Sequence, residues 1–94
     1  MALKTAPWDP AEYLTTPSRI AAYLEAAFEE GDPALIATAL GDIARAKGMT
    51  QLAAEAGVTR EALYKALSPT GDPRLSTFLG VIKALGIKLT PHPA

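Results

Sequence analysis

The sequence contains no cysteine, few aromatic residues and no long apolar run, and these absences exclude several classes of protein. Without cysteine the chain can form neither a disulfide framework nor a thiolate metal site. No apolar stretch approaches the roughly 18 residues that cross a bilayer, and the N-terminus lacks the apolar core of a secretory signal. We therefore expect a cytoplasmic protein without a membrane span.

Groups that carry catalysis are also scarce. His92 is the only histidine, and it lies in a proline-containing tail with no potential metal ligand beside it. The sequence shows no paired carboxylates, no glycine-rich phosphate loop and no nucleophile next to a base. It therefore predicts no enzyme, no metal site and no cofactor.

The composition that remains favours helices. Of the 94 residues, 49% are apolar, and alanine and leucine dominate. These residues lose least on entering a helix, and the length suffices for one small domain. We predict an all-α bundle of about five helices. Residues 1–16 form an extension with a short helical turn, residues 17–90 form the domain, and residues 91–94 form a tail. The alternating residues 87–90 are either a short C-terminal strand or an extended tail.

Capping residues and glycines mark the helix boundaries, and apolar spacing predicts the buried faces. The last helix is predicted over residues 75–85. The expected N-caps are Asp9, Thr16, Asp32, Thr50 and Thr59, and the expected stops are Gly31, Gly48, Gly57 and Gly86. The predicted inward residues are Tyr13, Ile20, Tyr23, Leu24, Ala27, Phe28, Leu35, Ile36, Leu40, Ile43, Leu52, Ala53, Ala56, Ala62, Leu63, Ala66, Leu67, Leu75, Phe78, Leu79, Ile82 and Leu85. Trp8 is expected to pack the N-terminus onto the bundle.

Charge is distributed unevenly along the chain. The net charge of −1 does not by itself indicate nucleic-acid binding. Residues 1–41 hold two cations against six carboxylates, whereas residues 42–74 hold five cations against four carboxylates. Residues 75–94 add Lys83 and Lys88. The acidic part is therefore N-terminal, and the basic part follows it.

Residues 49–68, MTQLAAEAGVTREALYKALS, hold two short helical patterns separated by a tight break. Gly57 stands at the break, where positive φ costs glycine little, and Thr59 is placed to cap the second helix. The small side chain of Ala53 allows the two helices to cross closely. This arrangement is typical of a helix-turn-helix, whose second helix enters the major groove of DNA.

The second helix of this pattern carries polar residues that could contact DNA. Arg60 could bond to guanine O6 and N7, Glu61 to a cytosine amino group, and Lys65 to a phosphate. The alternative is a purely structural hairpin whose exposed charges are only solvated. The predicted DNA-binding residues are Thr50, Gln51, Thr59, Arg60, Glu61, Tyr64, Lys65 and Arg74.

The same residues carry a resemblance to a known family. Residues 49–67 resemble the helix-turn-helix of lambda-repressor-like (XRE/Cro) domains. Nearly the full chain resembles the short, HigA-like addiction module antidote proteins, through WDPAEYL at 8–14, the segment 20–74 and FLGVIKALGIKL at 78–89. Within the longest match, GDIARAKGMTQ and LYKALSPTGDPR are the most specific phrases.

That resemblance implies an antitoxin. Proteins of this group bind and silence a RelE/ParE-like (HigB-type) toxin encoded beside them, and they repress the shared promoter as dimers. The predicted toxin-binding residues are Glu25, Glu29, Glu30 and Asp32, because toxins that bind RNA are usually basic. The alternative is that these carboxylates only keep an outer helix face soluble.

Two further questions stay open from the sequence. The segment 86–89 could pair with its symmetry mate in a dimer, or it could lie on its own domain. The protein could also be a solitary helix-turn-helix regulator without a toxin, or a protein-interaction module on the same fold.

Overall fold

The computed structural model describes residues 10–94, with side chains from residue 12 onward. Trp8 and Asp9, together with the roles predicted for them, lie outside the described residues. The elements are α1 (Pro10–Tyr13), α2 (Pro17–Glu30), α3 (Pro33–Lys47), α4 (Met49–Ala56), α5 (Arg60–Ala66) and α6 (Leu75–Ala84). The predicted all-α bundle of five main helices after a short turn is therefore confirmed. Within residues 10–94, every helix is too short or too polar to traverse a lipid bilayer.

The C-terminal segment forms no strand within the described residues. Residues 87–90 find no partner strand among residues 10–94, so the strand alternative is wrong for this chain by itself. The amide of Ile87 donates to the carbonyl of Ile82 at 3.2 Å. Beyond it, no backbone–backbone hydrogen bond within the described residues involves residues 88–94.

Local capping chemistry sets most helix ends. The hydroxyl of Thr16 accepts a hydrogen bond from the amide of Arg19 at 3.2 Å, and α2 ends at Gly31 with φ of 67°. The predicted cap at Thr50 is wrong. The carbonyl of Gly48 accepts the amide of Leu52 at 3.1 Å, so α4 begins at Met49 and Thr50 lies inside its first turn.

One apolar cluster joins all the helices. α3 packs against α1, α2 and α4, and α4 in turn packs against α5 and α6. The largest of the fully buried side chains come from four of the helices. They are Ile20, Leu24, Leu40, Ile43, Leu63 and Val81.

Some residues predicted to face inward are exposed instead. Leu75 is 70% exposed and Leu79 is 49% exposed, because α6 turns its Val81 and Leu85 side toward the core. Leu35 and Ala62 are likewise exposed. A helical pattern gives the direction of an apolar stripe, but the neighbouring helices decide how wide a stripe they cover.

Candidate functional site

The α4–turn–α5 unit, residues 49–66, has the tight bend that its sequence predicts. Gly57 adopts φ of 77°, and the amide of Val58 donates to the carbonyl of Ala53 at 3.0 Å. The hydroxyl of Thr59 then accepts the amide of Ala62 at 3.0 Å and starts α5. Because these contacts lie within a few residues of each other, local chemistry fixes where α4 stops and α5 starts.

Two leucines hold the inner side of α5 against the bundle. Leu63 is fully buried, Leu67 is 3% exposed, and Val58 packs against the same core from the turn. The opposite side of α5 consequently faces solvent. Tyr64, for example, is 60% exposed although it is a large aromatic side chain.

All eight residues predicted to bind DNA are exposed. The structure brings three of them together, since Glu61, Tyr64 and Lys65 line one groove beside α5. Gln51 lies elsewhere, in a smaller groove with Lys47, and its side-chain amide donates to the Glu55 carboxylate at 3.2 Å.

The remaining predicted residues lie at helix termini rather than in a groove. Thr59 and Arg60 stand at the start of α5, and Thr50 is in the first turn of α4. Arg74 precedes α6 as its N-cap residue and makes no side-chain capping bond. The structure therefore brings three candidate residues of α5 together in one groove, and it leaves the others at separate helix N-termini or, for Gln51, in a smaller groove.

The groove beside α5 is also lined by residues of α3, a helix that the sequence did not indicate as part of the site. It has a volume of about 520 Å³ and lies between α3 and α5. Its lining residues are Thr38, Arg45, Glu61, Tyr64, Lys65, Leu67, Ser68 and Pro69. Arg45 is the added cation here. It lies in the last turn of α3, where a cation also suits the helix dipole.

A short polar network holds Arg45 at this groove. The Tyr23 hydroxyl donates to one carboxylate oxygen of Asp42 at 2.7 Å, and the Arg45 guanidinium donates to the other. Burial, followed by the hydrogen bond to Asp42, raises the pKa of Tyr23 to about 12. Tyr23 therefore keeps its proton at physiological pH and continues to donate it to Asp42.

The four predicted toxin-binding carboxylates, Glu25, Glu29, Glu30 and Asp32, are all exposed in the C-terminal half of α2 or just beyond it. Glu25 lines a groove of about 580 Å³ with Leu24 and Phe28, opposite residues 87–92. Asp32 also has a structural task, because its side chain accepts the amide of Ala34 and starts α3.

Comparison with known proteins relates almost the whole chain to one family. A family model described as "Probable addiction module antidote protein" matches residues 4–93. An uncharacterized protein of Haemophilus influenzae is 49% identical over 81 residues, which covers 86% of this chain and 84% of that protein. No solved structure matches the chain significantly.

Proposed function

Since the chain belongs to the family of probable addiction module antidote proteins, we propose that it is the DNA-binding antitoxin of a toxin–antitoxin module. It binds and neutralises a RelE/ParE-like (HigB-type) toxin, and as a cytoplasmic homodimer it represses the operon that encodes both proteins. Family membership supports the toxin partner. The outward face of α5 supports the DNA-binding half of the proposal.

The observation that carries DNA binding is the placement of α5. Its inner side is anchored by Leu63, while its first turn, with Arg60 and Glu61, is exposed. The major groove of B-DNA is about 12 Å wide and admits one helix, whose leading residues then meet the base edges. Arg60 suits a guanine contact, and Lys65, one turn further along, suits a phosphate.

Replacing Arg60 and Lys65 separately by alanine should produce two different losses. Arg60→Ala should cost about 1–3 kcal/mol on the DNA upstream of its own gene and reduce discrimination against a scrambled duplex. Lys65→Ala should weaken binding to both duplexes equally and make the slope of log K against log salt less steep by about 0.9. Fluorescence anisotropy titrations at several salt concentrations measure both effects.

The control for these variants is Lys83→Ala, which removes an exposed cation from the last turn of α6. It should leave the discrimination between the two duplexes unchanged. If Arg60→Ala and Lys65→Ala both retain the affinity of the unmodified protein for both duplexes, α5 is not the DNA-reading helix.

The acidic end of α2 supports the toxin-binding half of the proposal. Glu25 and Glu29 are four residues apart on one helix face, and neither makes an ion pair with any residue in the described part of the chain. Like charges at this spacing disfavour a helix by about 0.2–0.5 kcal/mol. A basic partner surface would turn this unfavourable pair into two favourable contacts, and Leu24 and Phe28 beside Glu25 supply an apolar floor.

Reversing these two charges should abolish neutralisation. We expect the double variant Glu25→Lys/Glu29→Lys to lose both rescue of growth and co-purification when it is co-expressed with the product of the adjacent gene. Its affinity for promoter DNA should be retained. Glu12→Lys, a reversal on α1, is the control and should still rescue growth. Full rescue by the double variant would remove this face as the toxin site.

A homodimer follows from the way such helices read DNA, since two-fold operators pair with two-fold proteins. Within the segment 86–89, Lys88 and Leu89 support one interface, because their backbone groups form no backbone hydrogen bond within the described residues and can form a strand with a second copy. The same residues line the groove opposite α2 within one chain, which supports the alternative of a tail lying on its own domain.

A protein-interaction module without DNA binding is the second candidate. The net charge of −1 and the exposed ring of Tyr64 favour it. Titration of the unmodified protein on promoter DNA separates the two functions. The absence of any salt-dependent binding would leave only the interaction module.

A further inference from the structure

We infer that the groove between α3 and α5 is a phosphate-binding site for the DNA backbone, in which Arg45 acts together with Lys65. This inference rests on the proposed DNA binding and adds to it a contact from outside the α4–turn–α5 unit. Arg45 lies in the last turn of α3, and its side chain is 51% exposed. It lines the same groove as Lys65 and Ser68.

The charge of the α4–turn–α5 unit is too low to hold DNA by itself. Residues 49–66 contain two cations, Arg60 and Lys65, and two carboxylates, Glu55 and Glu61. Duplex DNA carries one negative charge per about 1.7 Å of its axis, and affinity depends on how many phosphates the protein neutralises. Cations from neighbouring segments must therefore contribute. Arg45 is the cation from another helix that borders the groove beside α5.

Two neutral donors of the groove, Ser68 and Thr38, are already occupied, which leaves its cations and the Tyr64 hydroxyl to bind a phosphate. The hydroxyl of Ser68 donates to the carbonyl of Lys65 at 2.8 Å, and the hydroxyl of Thr38 donates to the carbonyl of Ala34 at 2.8 Å. Arg45 carries five N–H donors and uses one nitrogen for Asp42. Its remaining donors match the planar, bidentate geometry that phosphate oxygens accept.

The network behind Arg45 fixes its position before DNA arrives. The side chain of Asp42 is only 13% exposed, and its second oxygen is held by Tyr23. A guanidinium held in place loses less conformational entropy on binding than a free surface arginine does. Glu61 borders the same groove and lowers its positive potential, so we expect a contribution equal to one phosphate contact rather than several.

Replacing Arg45 by glutamine tests this site. Arg45→Gln removes the charge but keeps an amide donor for Asp42, and circular dichroism verifies that the helices remain. With fluorescently labelled duplexes of the upstream DNA and of a scrambled sequence, both affinities should fall by the same factor. The slope of log K against log salt should become less steep by about 0.9. Arg45→Lys, which restores the charge, should restore the slope.

The control is Arg19→Gln on α2, where the guanidinium lies 5.4 Å from the ring centroid of Tyr13 and away from the groove. It should keep the original slope. An unchanged slope in Arg45→Gln overturns the inference, and so does an equal reduction in Arg19→Gln, which would indicate a long-range charge effect only. If the unmodified protein binds neither duplex, the proposed DNA binding fails first, and that result is distinct from a failure of Arg45 alone.

Discussion

Replacing Leu63 by alanine is expected to lower the free energy of unfolding by about 2–5 kcal/mol. The Leu63 side chain is fully buried, and it is the central apolar contact between α5 and the rest of the bundle. Alanine at this position leaves a cavity that the surrounding helices can only partly fill. Since small domains have about 5–15 kcal/mol of stability in total, the variant should be close to unfolding.

Urea denaturation followed by circular dichroism measures this loss, and a matched leucine provides the control. Leu75→Ala makes the same chemical change at a side chain that is 70% exposed, so its effect should stay within about 0.5 kcal/mol. If the two variants lose equal stability, the burial assigned to α5 or to α6 is wrong. A stable Leu63→Ala variant would also mean that α5 is not anchored by its inner side.

The contrast between these two leucines marks the limit of what the sequence could predict. The spacing of α6 favoured a stripe containing Leu75 and Leu79, and the same reasoning favoured Leu63 in α5. Helix boundaries depend on residues close in sequence, such as Thr59 and Gly57, and the structure confirms those positions. Which apolar residues are covered depends on how the helices pack, and no local pattern encodes that.

The candidate site likewise has a part that the sequence could predict and a part that it could not. The residues on the outward face of α5 follow from helical periodicity once Leu63 is recognised as the inward one, and Tyr64 and Lys65 are exposed as expected. The contribution of α3 could not be predicted, because Arg45 and Lys65 are twenty positions apart. Their approach requires α4 to pack against both α3 and α5, together with the contact of Tyr23 with Asp42.

The close approach of α3 to the end of α5 depends on a glycine inside α3 whose role no sequence pattern predicts. Glycine in a helix interior costs roughly 1 kcal/mol relative to alanine, so Gly41 would ordinarily be replaceable with a gain in stability. In the structure it is buried, and a Cβ atom at this position would lie 2.5 Å from the carbonyl oxygen of Leu67. The missing side chain therefore sets how closely α3 approaches the end of α5.

Gly41→Ala should destabilise the protein by about 1–3 kcal/mol, the typical cost of overpacking, although alanine is ordinarily more favourable than glycine inside a helix. The atom that it meets belongs to the backbone, so a side-chain rotation cannot relieve the contact. The end of α5 must move instead, and it carries Lys65 and borders the groove with Arg45. We expect promoter affinity to fall at least tenfold, about 1.4 kcal/mol, under conditions where the variant remains folded.

Gly80→Ala is the matched control for this prediction, because it changes a second helical glycine whose Cβ would lie 3.3 Å from the carbonyl oxygen of Ala56. A shift of a few tenths of an ångström relieves that contact, so the gain in helix propensity should offset it and leave stability and DNA affinity close to their original values. Urea denaturation and anisotropy titration of both variants make the comparison. If Gly41→Ala is as stable and binds DNA as tightly as Gly80→Ala, α3 and the end of α5 tolerate an added carbon between them. The distance between α3 and α5 would then not control the proposed DNA binding.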